Sequence, residues 1–257
     1  MALKPSIDPD EIAKFTAMAD DWWDPHGKFR PLHKFNPVRL RFIRETIDRH
    51  FQTEAEAKKP FKGLTGLDIG CGGGLVSEPM ARLGLNLTSV DAAEANIKTA
   101  LVHAEQSRLE IDYRVGTAES LLPEEAGRYD VIFNLEVVEH VAHPEAFLQN
   151  CAKLLAPGGI MFLATLNRTP KAFMLAIVGA EYVLRWLPRG THEFNKFLKP
   201  SELSIPLTEA GLICDPAQGV SYNPLLDEWR LSRDTQVNYM MTAKRPAAQT
   251  SHADVSS

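Results

Sequence analysis

Only three cysteines, Cys71, Cys151 and Cys214, occur in 257 residues, and they lie far apart. They build neither a disulfide framework nor a Cys-x-x-Cys metal pair, so a reducing compartment, the cytoplasm, is expected. No apolar run reaches the ~18 residues of a membrane span. A basic excess is missing too: the formal net charge is -5, which argues against nucleic acid as a partner. The opening "MALKPSIDPDEIAKF" has no basic stretch followed by an apolar one, so no secretory signal is expected. No internal repeat is visible. The rest is an ordinary globular balance, 44% hydrophobic and 24% charged, and suits one domain with an appendage.

From residue 63 to about 167 strand and helix patterns alternate. "GLTGLDIG", "LNLTSVDA", "IDYRVGTAES", "YDVIFNLEV" and "IMFLATLN" read as strands. "LVSEPMARLG", "EANIKTALVHAEQSR" and "HPEAFLQNCAKLLAPGG" read as helices between them. Such alternation predicts an α/β fold, a parallel sheet with helices on both faces and a ligand crevice at the carboxyl ends of its strands. Residues 1–62 read as a helical cap, one or two helices joined by "WWDPHGKFRPLHKFNP". Residues 168–200 interrupt the sheet as an insert after the fifth strand. Residues 219–245 suit a closing pair of strands, which completes a core over 63–245. The polar tail 246–257 is expected to be disordered.

Four glycines fall within five positions at "GCGGG", residues 70–74. Something must approach this backbone closely. A P-loop needs Gly-Lys-Ser/Thr, which is missing. A dinucleotide fingerprint needs glycine at position 75, where Leu75 stands. What remains is Asp68-x-Gly70-x-Gly72-x-Gly74. Its leading carboxylate suits a cationic ligand better than a pyrophosphate. Asp91 ends the second strand, where an acid commonly accepts both ribose hydroxyls; capping the helix that follows is its other reading. A cationic nucleoside without phosphate describes S-adenosylmethionine.

With these residues the segment 63–167 resembles the core of the class I S-adenosylmethionine-dependent methyltransferases. The resemblance implies a Rossmann-like, doubly wound α/β fold with a mostly parallel seven-stranded sheet. It also implies that Gly70 and its neighbours Gly72 and Gly74 line the cofactor and Asp91 holds the ribose. Ala118 and Glu119 would meet adenine, and backbone groups of Asn134 and Leu135 the methionine moiety.

Outside that core, "AKFTAMADDWWDPHGKFRPLHKFNPVRLRFI", "EVVEHVAHPEAFL" and "LNRTPKAFMLAIVGAEYVLRWLPRGTHEFNKFLKP" resemble the O-methyltransferase family of ubiquinone biosynthesis. That family methylates ring hydroxyls of polyprenylated phenol and catechol intermediates. The match runs from about residue 11 to residue 243. It implies that Arg39, in Asn-Pro-x-Arg, helps bind the cofactor, and a guanidinium can pair with the cofactor's carboxylate as a planar fork. It leaves room for association with other enzymes of that pathway. A small catechol or other phenol is the alternative acceptor.

Methyl transfer to a hydroxyl needs positioning and removal of the phenolic proton. If "NLEVVEHV" turns helically after the fourth strand, Glu136, Glu139 and His140 share one face. They would then converge on a divalent ion such as Mg²⁺ bound to a catechol oxygen, as the resemblance implies for eukaryotic relatives through the matching Glu-x-x-Glu-His. Alternatively His140 is a metal-free general base, since imidazole changes charge near neutral pH, or the glutamates only cap and support. His33 and His143 read as structural or surface groups. Trp22, Trp23 and Phe29 suit either a wall of the cleft or plain core.

"KAFMLAIVGAEYVLRWLP" is too short and interrupted to span a bilayer, yet its polar stripe of Lys171, Glu181, Arg185 and Arg189 is narrow. It reads as a lid over the core, and also as a lid touching an anionic membrane surface through 171–189, at the inner face of the membrane. Two rivals remain: a nicotinamide-dependent oxidoreductase, opposed by Leu75 and Asp68, and a binding module that keeps the fold without chemistry.

Overall fold

The structure, a computed structural model, describes residues 8–175 and 193–248. Five strands run parallel: β1 (Thr65–Ile69), β2 (Asn86–Asp91), β3 (Asp112–Val115), β4 (Tyr129–Leu135) and β5 (Leu155–Leu166). Helices α3 (Ser77–Arg82), α4 (Glu94–Gln106), α5 (Ala118–Glu125) and α6 (Pro144–Leu154) connect them. Strand order is β3-β2-β1-β4-β5-β9-β7-β8, so the crossovers reverse direction between β1 and β4. β9 (Asn238–Lys244) enters antiparallel to β5 and carries both β7 (Gln218–Asn223) and the two-residue β6 (Ile213–Cys214). β8 (Glu228–Ser232) closes the edge against β7.

The strands at the centre are continuous apolar runs because both sheet faces are covered. On one face Leu67, Ile132, Met161 and Leu163 pack with α5, α6 and α8 (Pro200–Glu209). On the other, Val131, Phe133 and Phe162 pack with α3 and with α2 (Arg30–Phe51). Ile43 and Ile47 of α2 are one turn apart and fully buried, each contributing about 1.5–3 kcal/mol of transfer free energy. α1 (Pro9–Thr16) is capped by Asp8, whose carboxylate accepts from the Asp10 N–H at 3.0 Å. A single turn, α7 (Pro170–Ala172), follows β5.

Several expectations need correction. Among the described residues the sheet has nine strands, where seven were expected. "VSYNPLLDEWRLS" is a hairpin, β7 and β8, because the Asn223 side chain accepts from the N–H groups of Leu225 and Leu226 and turns the chain. The third strand stops at Val115, since Thr117 and Ser120 form a reciprocal cap that starts α5. Segment 136–140 is not an α-helical face. Glu136 sits at φ 56, and only Val138–His140 forms a tight 3₁₀ turn.

The expected lid over 171–189 falls outside the described residues beyond Leu175. The expected disordered tail falls outside them beyond residue 248. Among the described residues no helix is long and apolar enough to cross a membrane.

Candidate active site

A cavity of about 740 Å³ opens at the carboxyl ends of β1, β2, β4 and β5, walled by α1, the segment leading into α2, and the β7–β8 hairpin. Its size suits a drug-sized ligand with room to spare. Of the residues expected at the cofactor, Arg39, Asp68, Gly70, Asp91, Ala118 and Leu135 line it.

The rest stand behind the wall. Gly72 and Gly74 make room for protein side chains. A Cβ on Gly72 would lie 2.3 Å from the Trp22 ring, and one on Gly74 would lie 2.3 Å from the Tyr113 hydroxyl. Glu119 is buried beside Asn150, which donates to its Oε1 at 3.5 Å. The Asn134 amide is buried and reaches only the Cys151 sulfur, at 4.0 Å.

Asn-Pro-x-Arg works as a unit in the first turns of α2. Asn36 donates through Nδ2 to the Leu75 carbonyl at 2.8 Å, which ties α2 to the glycine loop. Its Oδ1 accepts from Arg39 Nε at 3.1 Å and Nη2 at 2.8 Å. The Arg39 guanidinium is thereby aimed and almost fully buried, and burial pushes its pKa down while Glu136 and Asp68 hold it up. Burial pushes Asp68 up to about 7 against the opposing pull of Ser77, whose hydroxyl donates to Oδ2 at 2.6 Å. Asp91 is also raised by burial. It accepts from the N–H groups of Gly72 (Oδ2, 2.9 Å) and Ala93 (Oδ1, 2.8 Å), which ties it to the glycine loop and to the turn ahead of α4, and no side chain caps the first turn of α4 itself.

On the acceptor side Glu136, Glu139 and His140 all line the cavity, but in two groups. Burial and the Glu139 charge push Glu136 up to about 8, and Glu139 Oε2 is buried without a hydrogen-bond partner. His140 turns away from both. Its Nδ1 lies 2.8 Å from Glu11 Oε2 of α1, and the edge of Phe15 stands against its ring. The His140 hydrogen bond is the largest influence holding Glu11 down to about 2, and Lys196 adds a second bond at 3.1 Å.

No sequence signal pointed to Glu11 or Lys196, which lie 129 and 56 residues from His140. Among the described residues no group of three His, Cys, Asp or Glu side chains is gathered for a metal. His33 bonds the Trp22 carbonyl (2.9 Å) and His143 is exposed ahead of α6, as structural and surface groups. Trp22 and Phe29 stack at 3.8 Å, both buried and both lining the cavity, so they are wall and core at once. Trp23 instead stacks on His103 and donates to the Gly73 carbonyl.

Residues 67–163 match the Methyltransferase domain family. A protein from Maricaulis maris named ubiquinone biosynthesis O-methyltransferase is 60% identical over 244 residues, 95% of each chain. Its namesake from Parvibaculum lavamentivorans is 61% identical over 245 residues, 95% of this chain and 96% of its own. The chain belongs to the ubiquinone biosynthesis O-methyltransferase family. It is an S-adenosylmethionine-dependent O-methyltransferase with the Rossmann-like α/β fold of its class. Solved structures share that fold at low identity. The O-methyltransferase superposes on magnesium protoporphyrin IX methyltransferase from Synechocystis with bound SAH at TM-score 0.63 and 17% identity, covering 93% of this chain and 100% of the other. For the PH0226 protein from Pyrococcus horikoshii the values are 0.60, 12%, 90% and 98%.

Proposed function

We propose that this enzyme methylates a ring hydroxyl of a polyprenylated phenol or catechol in ubiquinone biosynthesis, with His140 as the base that takes the phenolic proton. The observation that carries the reading is the His140–Glu11 pair lining the same cavity as Arg39, Asp68 and Asp91. Glu11 binds Nδ1, so the other ring nitrogen is left for the acceptor. A carboxylate there orients the imidazole. At the cofactor end, Arg39 would pair with the cofactor carboxylate and Asp68 would attract its cationic portion. Asp91 would take the ribose hydroxyls, with Gly70 and Leu135 in contact along the chain and Ala118 beside the base.

A divalent ion is the second reading, favoured by the orphaned Glu139 oxygen and the elevated Glu136. Two adjacent carboxylates fit a hard cation, so Glu136 and Glu139 would hold it without His140, which is paired with Glu11. Such an ion would lower the pKa of an acceptor hydroxyl bound to it.

The mouth of the cavity favours a greasy acceptor held near a membrane surface. Phe173, Met174 and Leu175 are exposed where the chain leads into the insert, and Leu225 and Leu226 are exposed on the hairpin turn. The test is incubation with labelled S-adenosylmethionine and a polyprenyl catechol, delivered in anionic vesicles or as a soluble short-tail analogue. Mass analysis should find one added methyl on oxygen. Transfer to neither acceptor overturns the substrate reading. Equal rates with anionic and neutral vesicles overturn membrane contact.

The state of Asp68 sets a pH dependence. With a free-state pKa of about 7, the acid is partly protonated when the cofactor arrives. A cationic ligand favours the carboxylate, so binding releases a proton and tightens as pH rises from about 6 to about 7.5. Calorimetry should show this slope reduced in Asp68→Asn; an unchanged slope excludes Asp68 as its source.

A further inference from the structure

We propose that Asn96 is a positioning residue for the cofactor's ribose, linking Asp91 to the aromatic cap through Trp22. The inference rests on the reading of Asp91 as the ribose acid. Asn96 lies in the first turn of α4 and is 1% exposed. Its Oδ1 accepts from the Trp22 indole N–H at 2.9 Å, and its Nδ2 donates to Asp91 Oδ1 at 3.1 Å. The direction of this relay is fixed by chemistry. An indole N–H only donates and a carboxylate only accepts, so the amide has one orientation that serves both.

An amide buried this deeply must be hydrogen-bonded to be tolerated, and an apolar side chain would serve packing alone at this helix position. Asp91 needs no such help to hold the turn between β2 and α4, because the N–H groups of Gly72 and Ala93 already bind it. The added bond fixes the carboxylate's rotation about its own side chain. It leaves acceptor capacity on Oδ2, which takes a single bond from the Gly72 N–H.

The other end of the relay is held equally firmly. Trp22 stacks on Phe29 and fills the space over Gly72 and Gly73. The acid at the end of β2 and the aromatic wall over the glycine loop therefore share one hydrogen-bonded unit, although 74 residues separate Trp22 from Asn96. Docking of the cap and binding of the nucleoside then favour each other, and by linkage the effect is reciprocal.

The test measures S-adenosylhomocysteine affinity by calorimetry, together with kcat and KM for S-adenosylmethionine, on the full chain. Asn96→Leu and Asn96→Asp should weaken binding about tenfold, the scale of one lost hydrogen bond to a charged group. KM should rise in parallel while kcat at saturating cofactor holds within about twofold. Trp22→Phe removes the donor together with part of the ring that packs over Gly72, and it should weaken binding less than Asn96→Leu, without loss of fold. With 2′,3′-dideoxy-S-adenosylhomocysteine, which lacks the ribose hydroxyls, the Asn96→Leu penalty should vanish.

An equal penalty on the dideoxy analogue, or a fall in melting temperature with unchanged affinity, would assign Asn96 to structure alone and overturn the proposal. Asp91→Asn separates the layers. If it weakens binding while Asn96→Leu and Trp22→Phe do not, the relay fails and the ribose reading stands. If Asp91→Asn changes nothing, the ribose reading fails and the relay with it.

Discussion

His140→Ala is expected to lower kcat for catechol methylation by about 10²–10⁴-fold, the usual contribution of a placed general base, while S-adenosylhomocysteine affinity is retained. The split follows from the proposed roles: His140, with Glu11 and Phe15 against it, would take the acceptor's proton, whereas Arg39 and Asp91 would hold the cofactor. Stopped assays of initial rate, with affinity measured separately, check it. Wild-type kcat in the variant would remove the base. The same assay after exhaustive chelation decides the second reading. Activity that disappears and returns with Mg²⁺ places the ion at Glu136 and Glu139 in the reaction, and undiminished activity leaves the metal-free base.

Gly72→Ala is expected to cost about 2–5 kcal/mol of stability. A non-glycine residue in the left-handed region costs about 1–2 kcal/mol, and Gly72 sits at φ +54. Overpacking adds about 1–3 kcal/mol, since the new methyl would meet the Trp22 ring at 2.3 and 2.4 Å. Urea unfolding measures the loss, and cofactor affinity should fall with it because the displaced indole is the one that holds Asn96. Adding Trp22→Ala should relieve the overpacking share and leave the backbone share. A loss below about 1 kcal/mol would show that the loop shifts freely, against the close packing expected of a protein interior.

Much of the frame was legible in the residues. Runs such as "VIF" in β4 and "IMFLA" in β5 are unbroken apolar because parallel strands are covered on both faces, and that pattern is visible without coordinates. The spacing Asp68-x-Gly70 and the position of Asp91 after the second strand likewise located the crevice. What stayed hidden depends on contacts between distant segments. Glu11 reads as one more acid on an amphipathic helix, and only the fold sets it against His140. Asn96 reads as an ordinary helix residue.

The glycine loop was legible as a place of close approach, but local spacing does not say that an indole makes the approach at Gly72. The helical face assumed for Glu136, Glu139 and His140 failed for a local reason. The backbone reverses into the left-handed region at Glu136, and the two valines that follow lead into a tight turn. Glu119 and Asn134 hold the expected places along the chain, but their side chains point into the packing behind the crevice.

The placement of β9 bears on how the molecule is made. Its residues 238–244 pair with 160–166, so a ribosome must deliver some seventy further residues before β5 gains that neighbour. Until then the nascent sheet presents a long apolar border open to other chains. Closure over such a sequence distance is slow, which makes this border the place where holding factors would act and where a chain stalled during synthesis would clump.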